Sequence, residues 1–376
     1  MKIKFIIFGL LLVILVLVFF IIRNKTQSPL RINQKQETSS QSIKIDENEK
    51  VKVIAGNLDT PWGITFLPDN SMLVTERKGQ VRLINRNGML DPKPVAVFNQ
   101  VREIGEGGLL GIALHPNFSS NHFVYFYYTY SANTNNTFNR VARMVYRDNK
   151  LENEQVIVDR IPGASNHNGG RIKFGPDKNL YITTGDAQNS SQAQNTNSLA
   201  GKILRVTDEG KAVSGNPFNN LVYSYGHRNP QGIAWDNQGR LWATEHGRSG
   251  VLSGFDELNL VEPGKNYGWP TIEGDKARSG MEIPKLHSGP TETWAPSGMA
   301  ILENSIFFAG LRGETLYEAV VKGDNIELKK HFKSQFGRIR EVVLGSDNML
   351  YITTSNRDGR GTPDTSDDRV IRINPN

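Results

Sequence analysis

The feature that most constrains the fold is a short phrase that recurs six times along the chain. Each copy has a strand with alternating hydrophobic residues, a turn that usually carries Asp, Asn or Gly, and a second strand. The copies begin at Gly63, Gly111, Gly170, Gly232, Gly298 and Arg340. They recur every forty to sixty-five residues or so, with no helical periodicity between them, and therefore predict an all-β fold, a six-bladed β-propeller. A β-sandwich whose strands resemble one another by accident is the alternative.

The two ends of the repeat region predict how the ring closes. The last copy ends at the C-terminus, whereas the strand-like segment KVKVIAGNL, residues 50–58, precedes the first copy. We therefore expect this early strand to complete the final blade, so that residues 50–376 form one propeller domain.

The first fifty residues differ in character from the repeats. Residues 5–22 carry no charged or strongly polar side chain, and as a helix they would extend about 27 Å, close to the hydrocarbon thickness of a bilayer. We expect residues 1–23 to be a transmembrane anchor, with a removed signal segment as the alternative. The polar residues 24–49 are typical of a disordered linker that acts as a flexible tether. Either interpretation makes the remainder extracytoplasmic, in the periplasm or at the cell surface.

Composition excludes several classes of function. The chain has no cysteine, which excludes disulfides, thiolate metal sites and cysteine nucleophiles. Lys and Arg number 44 against 38 Asp and Glu, and the first fifty residues hold eight of the basic and four of the acidic residues. The repeat region is therefore nearly balanced in charge, and we expect no nucleic-acid partner.

The propeller interpretation predicts where the chemistry lies. The innermost strand of each blade lines the channel, so the residues just before each copy meet at one end of the axis. These residues are Thr60, Pro61, Trp62, Glu106, Asn166, His167, Asn168, His227, Arg228, Asn229, Trp294, Ser297, Arg338 and Arg340. Several guanidiniums in one place suit a polyanionic ligand, because Arg binds carboxylates with a planar fork and stays charged. A histidine beside them suits proton removal near neutral pH, and a purely structural role for His167 is the alternative.

Nine segments, in order, resemble one known family: GEGGLLGIALHP, NHNGGRIKFGPD, YITTGD, SLAGKILRV, GHRNPQGIAW, TEHG, DELNL, GKNYGWP and GRIREVV. They are similar to the soluble quinoprotein glucose dehydrogenases and aldose sugar dehydrogenases, which use pyrroloquinoline quinone (PQQ). The resemblance covers residues 51 to the C-terminus. It implies a six-bladed propeller that holds PQQ across the channel mouth with the help of Ca²⁺. It also implies oxidation of the anomeric hydroxyl of an aldose, or of a related alcohol, to a lactone by hydride transfer to PQQ.

The resemblance also implies roles for individual residues. His167 matches the family's general base. The cofactor-binding positions it implies are Glu106, Arg228, Asn229, Arg312, Arg338 and Arg340. Glu106 replaces the Gln of the soluble glucose enzymes, as expected for the aldose dehydrogenase branch, and Arg312 replaces a Lys.

Three further sets of residues complete the expected site. The flat cofactor can lie against Trp294, and Asp186 and Gln194 resemble substrate-loop residues. The main-chain oxygens of Gly247 and Arg248 stand where the family binds calcium, although Arg248 replaces a Pro.

Three classes of function therefore compete. The first is a PQQ-dependent sugar dehydrogenase, the second a calcium-dependent propeller lactonase or other hydrolase, and the third a noncatalytic propeller that binds a partner. The abundance of Arg at the mouth favours the first, because a lactonase metal cage needs several convergent Asp, Glu and Asn side chains. The sequence leaves open which sugar is the substrate, which electron acceptor is used and whether the chain forms a homodimer.

Overall fold

The computed structural model describes residues 50–131, 136–250 and 253–375. These residues contain six antiparallel four-stranded sheets, which confirms the six-bladed propeller. Residues 1–23 and 24–49 lie outside the described residues, so the anchor and the linker stay predictions. Within the described ranges, no helix is both long enough and apolar enough to cross a bilayer.

The first three blades follow one another along the chain. The first blade contains β2 (Pro61–Phe66), β3 (Met72–Glu76), β4 (Gln80–Ile84) and β5 (Ala96–Val97). The second contains β6 (Leu109–Leu114), β7 (Phe123–Ser131), β8 (Thr137–Arg147) and β9 (Lys150–Pro162). The third contains β10 (Ile172–Phe174), β11 (Leu180–Thr184), β12 (Lys202–Val206) and β13 (Val222–Tyr225). A helical turn, Phe118–Asn121, and a 3₁₀ helix, Ser190–Gln194, lie in their loops.

The last three blades continue this order. The fourth contains β14 (Pro230–Trp235), β15 (Leu241–Glu245), β16 (Glu257–Val261) and β17 (Leu286–His287). The fifth contains β18 (Pro296–Leu302), β19 (Ser305–Gly310), β20 (Thr315–Lys322) and β21 (Asn325–His331). The sixth contains β22 (Ile339–Leu344), β23 (Leu350–Thr354), β24 (Val370–Ile373) and β1 (Val51–Ala55).

The ring closes as the sequence predicts. Strand β1 pairs with β24, so the beginning and the end of the propeller share the sixth sheet. The inner strands contact one another in the order β2, β6, β10, β14, β18 and β22, and β22 contacts β2 again. The loops that precede these six strands therefore meet around one end of the central channel.

Close approach of neighbouring blades explains the glycine that begins most copies of the phrase. A Cβ on Gly111 would lie 2.3 Å from the main-chain oxygen of Gly170, and one on Gly232 would lie 2.3 Å from that of Ser297. Both distances are far below ordinary van der Waals contact. A side chain at these positions would therefore push the inner strands apart.

Threonines of the second strands join neighbouring blades through buried hydrogen bonds. The hydroxyl of Thr75 donates to the main-chain oxygen of Leu110 at 2.6 Å, and that of Thr244 donates to Ser297 at 2.8 Å. Each bond satisfies a buried carbonyl group at the border between two sheets. The repeated Thr of the phrase thus holds the blades together.

Candidate active site

A cavity of about 520 Å³ lies at the end of the channel where the loops before the inner strands meet. Its walls are Glu106, Asn166, His167, Gln188, Arg228, Gln231, His246, Gly247, Arg248, Ser249, Ser253, Asp256, Thr293, Ala295, Leu311, Arg312, Arg338, Arg340 and Arg360. Most of the sequence-predicted site residues are therefore neighbours in space. The walls come from five of the six blades, as expected for residues scattered along the chain.

His167 and Asp186 form a hydrogen-bonded pair at the wall of this cavity. Nδ1 of His167 lies 2.7 Å from Oδ1 of Asp186, and Trp269 Nε1 donates to the other carboxylate oxygen at 2.9 Å. Burial opposes ionisation of Asp186, but the hydrogen bonds from His167 and Trp269 outweigh it and lower the pKa of this carboxyl. An ionised carboxylate can only accept hydrogen bonds, so in the neutral imidazole the proton lies on Nδ1 and the lone pair on Nε2. The pair therefore prepares Nε2 to act as a base.

This arrangement gives Asp186 a role that the sequence did not show. The sequence grouped Asp186 with residues of the substrate loop, but its carboxylate is buried behind His167 and does not line the cavity. The carboxylate fixes the tautomer of the imidazole, and the residue also lines a second cavity of about 400 Å³. The sequence could not show this pairing, because Asp186 follows β11 whereas His167 precedes β10.

Six guanidiniums line the cavity, and three of them are paired with carboxylates. Arg338 donates twice to Asp358, at 2.8 and 3.0 Å, and Arg360 donates to Glu106 at 2.9 Å. A longer bond of 3.4 Å joins Arg248 to Glu273. These three positive charges are therefore compensated within the protein.

The other three guanidiniums bond to uncharged acceptors. Arg228 donates to Ser249 at 2.8 Å, Arg340 donates to Gln231 at 2.7 Å, and Arg312 donates to Ser253 at 3.0 Å. Burial lowers the pKa of Arg340 to about 9, which leaves it charged at neutral pH. Within the described residues, Nε of Arg228 and Nε of Arg340 are buried without a hydrogen-bond partner. The cavity thus has positive charge and unused donors to offer to an anion.

His246 was not among the predicted site residues, yet it also lines the cavity. Burial lowers its pKa to about 4, so its imidazole is neutral at pH 7, and its buried Nε2 has no hydrogen-bond partner within the described residues. It directly follows β15 in the segment TEHG. TEHG is one of the nine segments that carry the family resemblance. That resemblance is the sequence feature from which His246 could have been predicted.

Trp294 does not lie where the sequence led us to expect it. Its side chain is 1% exposed, and its ring packs 5.5 Å from the rings of Phe308 and Tyr317 in the core of the fifth blade. The adjacent residues Thr293 and Ala295 line the cavity instead. Position at a repeat corner does not determine which way a side chain turns, and here the indole turns into the core.

Gln194 and Asn229 also lie outside the cavity wall. The amide of Gln194 pairs with that of Asn266 in both directions, at 2.8 and 3.0 Å, and also donates to the main chain of Trp269. These bonds join the loop of Gln194 to the loop that contains Asn266 and Trp269. Asn229 accepts a hydrogen bond from the main chain of Gly169 at 2.9 Å, and its buried Nδ2 has no partner within the described residues.

The described acidic and histidine side chains do not by themselves form a calcium site. Among the described residues, no group of three or more His, Asp and Glu side chains could hold a metal ion. The main-chain oxygen of Arg248 already accepts from Gly254 at 3.3 Å, and both oxygens of the nearby Asp256 accept from protein donors. Calcium takes about six to eight oxygen ligands, which Gly247 and Arg248 alone cannot supply.

The donor set of the cavity fits a molecule with three carboxylates, such as PQQ. Arg228, Arg312 and Arg340 provide three charges that are not paired with a carboxylate, and a molecule with three carboxylates would compensate them. The unused Nε donors of Arg228 and Arg340 would gain acceptors at the same time.

Comparison with known proteins agrees with this site. The family model described as Glucose / Sorbosone dehydrogenase matches residues 58–363. The aldose sugar dehydrogenase of Escherichia coli strain K12 is 32% identical over 82% of this chain and 91% of its own length. Quinoprotein glucose dehydrogenase B of Acinetobacter calcoaceticus is 34% identical over 65% of this chain and 57% of its own length. The PQQ-bound aldose sugar dehydrogenase of Streptomyces coelicolor superposes with a TM-score of 0.80 and 40% identity, covering 86% of this chain and 97% of its own. The chain therefore belongs to the glucose/sorbosone dehydrogenase family of PQQ-type sugar dehydrogenases.

Proposed function

We propose that this chain oxidises the anomeric hydroxyl of an aldose to a lactone, with PQQ as the hydride acceptor and His167 as the general base. The observation that carries the proposal is the position of His167, hydrogen-bonded to Asp186, in the wall of a cavity rich in guanidiniums. A polyanionic cofactor and a proton acceptor would thus meet in one space. The names of the relatives from Escherichia coli, Acinetobacter calcoaceticus and Streptomyces coelicolor support this assignment.

The guanidiniums would hold the cofactor without a covalent bond. Arg228, Arg312 and Arg340 would bind its carboxylates, each contributing about 1.5 to 3 kcal/mol as a charged hydrogen bond. Arg338 would contribute less, because Asp358 compensates its charge. PQQ, when bound, supplies the two-electron acceptor that the amino-acid side chains of this chain lack.

His167 would remove the proton of the sugar hydroxyl. Nε2 accepts the proton while the carbon-bound hydrogen leaves as hydride, and the imidazole becomes an imidazolium. The ionised Asp186 beside Nδ1 stabilises this positive charge. Because Asp186 also holds the ring in one orientation, the base needs no rearrangement before it reacts.

The alternatives have weaker support. A lactonase of the propeller type would need a metal held by several acidic side chains, and the described residues contain no such group. A noncatalytic binding module does not require a buried carboxylate that fixes the tautomer of a histidine in the cavity wall. Calcium stays a prediction, as do the membrane anchor, the extracytoplasmic location and a homodimer.

Reconstitution of the purified chain tests the proposal. The protein is titrated with PQQ, with and without Ca²⁺, and then assayed with aldoses and an artificial dye as electron acceptor. We expect saturable PQQ binding and sugar-dependent reduction of the dye. Failure to bind PQQ, together with hydrolysis of lactones, would favour the hydrolase; binding without turnover of any sugar would refute the dehydrogenase.

A further inference from the structure

Arg360 crosses the mouth of the channel. It lies in the loop between β23 and β24 of the sixth blade, and its side chain is about half exposed. One guanidinium nitrogen donates to Oε1 of Glu106 at 2.9 Å, and another donates to Oδ1 of Asn166 at 3.1 Å. Glu106 lies just before the second blade and Asn166 just before the third. The side chain of Arg360, from the sixth blade, therefore contacts the loops of two other blades.

Both contacts lead to the main chain of His167. Oε2 of Glu106, the oxygen that does not bond to Arg360, accepts the hydrogen bond of the His167 main-chain N–H at 3.1 Å. Asn166 is the residue directly before His167 in the chain. Arg360 therefore contacts the acceptor of the His167 N–H and the neighbouring side chain simultaneously.

The main chain at this point needs such support. His167 has a φ of +61°, in the left-handed region that residues other than glycine seldom adopt. Hydrogen bonds from other segments also fix the two preceding residues. The main-chain oxygen of Ser165 accepts from Glu106 N–H at 2.7 Å, and Asn166 N–H donates to the side chain of Gln188 at 3.2 Å. A left-handed residue persists when surrounding contacts determine it, and here the contacts of Glu106 depend in part on Arg360.

The charges agree with this geometry. Burial opposes ionisation of Glu106, but the charge of His246, which is protonated only in acid, and the hydrogen bond and charge of Arg360 outweigh it and lower its pKa to about 2. An ionised carboxylate is a stronger acceptor for the His167 N–H than a neutral carboxyl group. Arg360 thus keeps Glu106 both charged and fixed in direction.

We propose that Arg360 is a positioning residue, which acts through Glu106 and Asn166 to hold the main chain of His167 and so directs its imidazole into the cavity. The inference rests on the proposed role of His167 as the base. The loop between β23 and β24 carries no repeat motif. In this proposal it contributes to the reaction by positioning His167, which lies just before the third blade.

The test compares Arg360→Met with Arg360→Lys, which keeps the charge beside Glu106. Hydrogen exchange of the apoprotein, followed by mass spectrometry of peptides that contain residues 164–170, reports on the His167 N–H without cofactor. We expect Arg360→Met to accelerate exchange there by about tenfold or more and Arg360→Lys to retain most of the protection. With PQQ and sugar, we expect Arg360→Met to lower kcat by about ten- to a hundredfold, with KM for the sugar changed less than threefold or so.

Arg240→Met is the matched control. Arg240 is also an exposed arginine paired with a carboxylate, that of Asp236, but it lies between β14 and β15 at the opposite end of a blade. We expect it to change neither exchange at His167 nor kcat. Unchanged exchange in Arg360→Met would overturn the proposal, and so would a loss confined to KM, which would make Arg360 a substrate contact. If the wild-type chain oxidises no sugar, the proposed function fails, while the exchange experiment still decides whether Arg360 holds His167.

Discussion

At the scale of single residues, the arginines of the cavity are not equivalent. The charge of Arg338 is compensated by Asp358, whereas Arg340 donates to the uncharged Gln231 and Ser297. Arg340 also keeps a buried Nε that lacks a partner within the described residues. An anion that enters the cavity therefore gains more from Arg340 than from the arginine two residues before it.

This difference predicts the effect of removing each charge on PQQ binding. Arg340→Met should weaken binding by about tenfold or more, as expected for the loss of one charged hydrogen bond. The double variant Arg338→Met/Asp358→Asn removes a compensated pair without changing the net charge and should weaken binding less. Titration of each apoprotein with PQQ measures both effects. A larger loss in the double variant would contradict this ranking of the two arginines.

Asp186 provides a second prediction at this scale. Asp186→Asn keeps the shape of the side chain but removes the charge, and its amide can donate to Nδ1 and so favour the wrong tautomer of His167. We expect kcat to fall by about a hundredfold or more at pH 7, with PQQ binding unchanged. Steady-state kinetics and PQQ titration measure the two quantities. A kcat within a few-fold of the wild type would show that the carboxylate is not needed.

The lowered pKa of Glu106 predicts how stability depends on pH. Its pKa is about 2 in the folded chain against an ordinary value of 4.5, so its ionised form is favoured by folding. The resulting stability is present above pH 4.5 and is lost as the pH falls toward 2. In urea unfolding, Glu106→Gln should therefore be less stable than the wild type at pH 6, and the difference should shrink at pH 3. A difference that does not depend on pH would contradict this assignment.

At the scale of strands and turns, the repeated phrase has a physical explanation in each part. The turn carboxylates of Asp177, Asp236 and Asp347 accept main-chain N–H bonds two residues later. They also accept from an aromatic side chain of the following strand, as Asp236 does from Trp242 at 2.9 Å. The glycine and the threonine of the phrase act between blades, so the phrase encodes both the hairpin and its packing against the next blade.

The threonine can be tested alone. Thr75→Val keeps the volume of the side chain but removes the hydroxyl that donates to Leu110 and accepts from Gly63 N–H. Because two buried main-chain groups lose their partner, we expect a loss of about 1 to 3 kcal/mol in the free energy of unfolding. Thr65→Val on the neighbouring strand β2, where the described structure shows no side-chain hydrogen bond, should change it by less than about 0.5 kcal/mol. Equal effects of the two variants would show that the bond between blades contributes little.

The same regularity explains what could be predicted from the sequence. Six copies of one phrase predict six sheets, and the unpaired strand before the first copy predicts the pairing of β1 with β24. The corner positions place His167, Arg228 and Arg340 in one cavity, because topology alone brings them together. Topology does not determine which way a corner side chain turns, so the burial of Trp294 in the core could not be predicted from it. Arg360 lies in a loop outside the repeat, so periodicity gave no reason to consider it.

At the scale of the whole molecule, the propeller separates stability from chemistry. Each blade packs on its neighbours through apolar side chains, such as Tyr125 and Tyr127 of the second blade with Ile172 of the third. The loops at one end of the channel are then able to carry charges that would be costly in a core. Closing the ring through β1 and β24 also fixes the loop of Arg360 relative to the blades that it contacts. Positive charge is therefore concentrated at the place where the family resemblance implies a triacid.

The central claim is that this cavity couples a bound quinone to a histidine base, and one measurement tests it most directly. Wild type and His167→Ala are each loaded with PQQ without oxygen, mixed rapidly with an aldose, and followed by absorbance of the cofactor. We expect the wild type to reduce PQQ in a single turnover, and His167→Ala to bind PQQ with similar affinity but reduce it at least about a hundredfold more slowly. His122→Asn, a change at a left-handed position between β6 and β7 that asparagine tolerates, is the control and should reduce PQQ at the wild-type rate. Reduction by His167→Ala at the wild-type rate would contradict the claim.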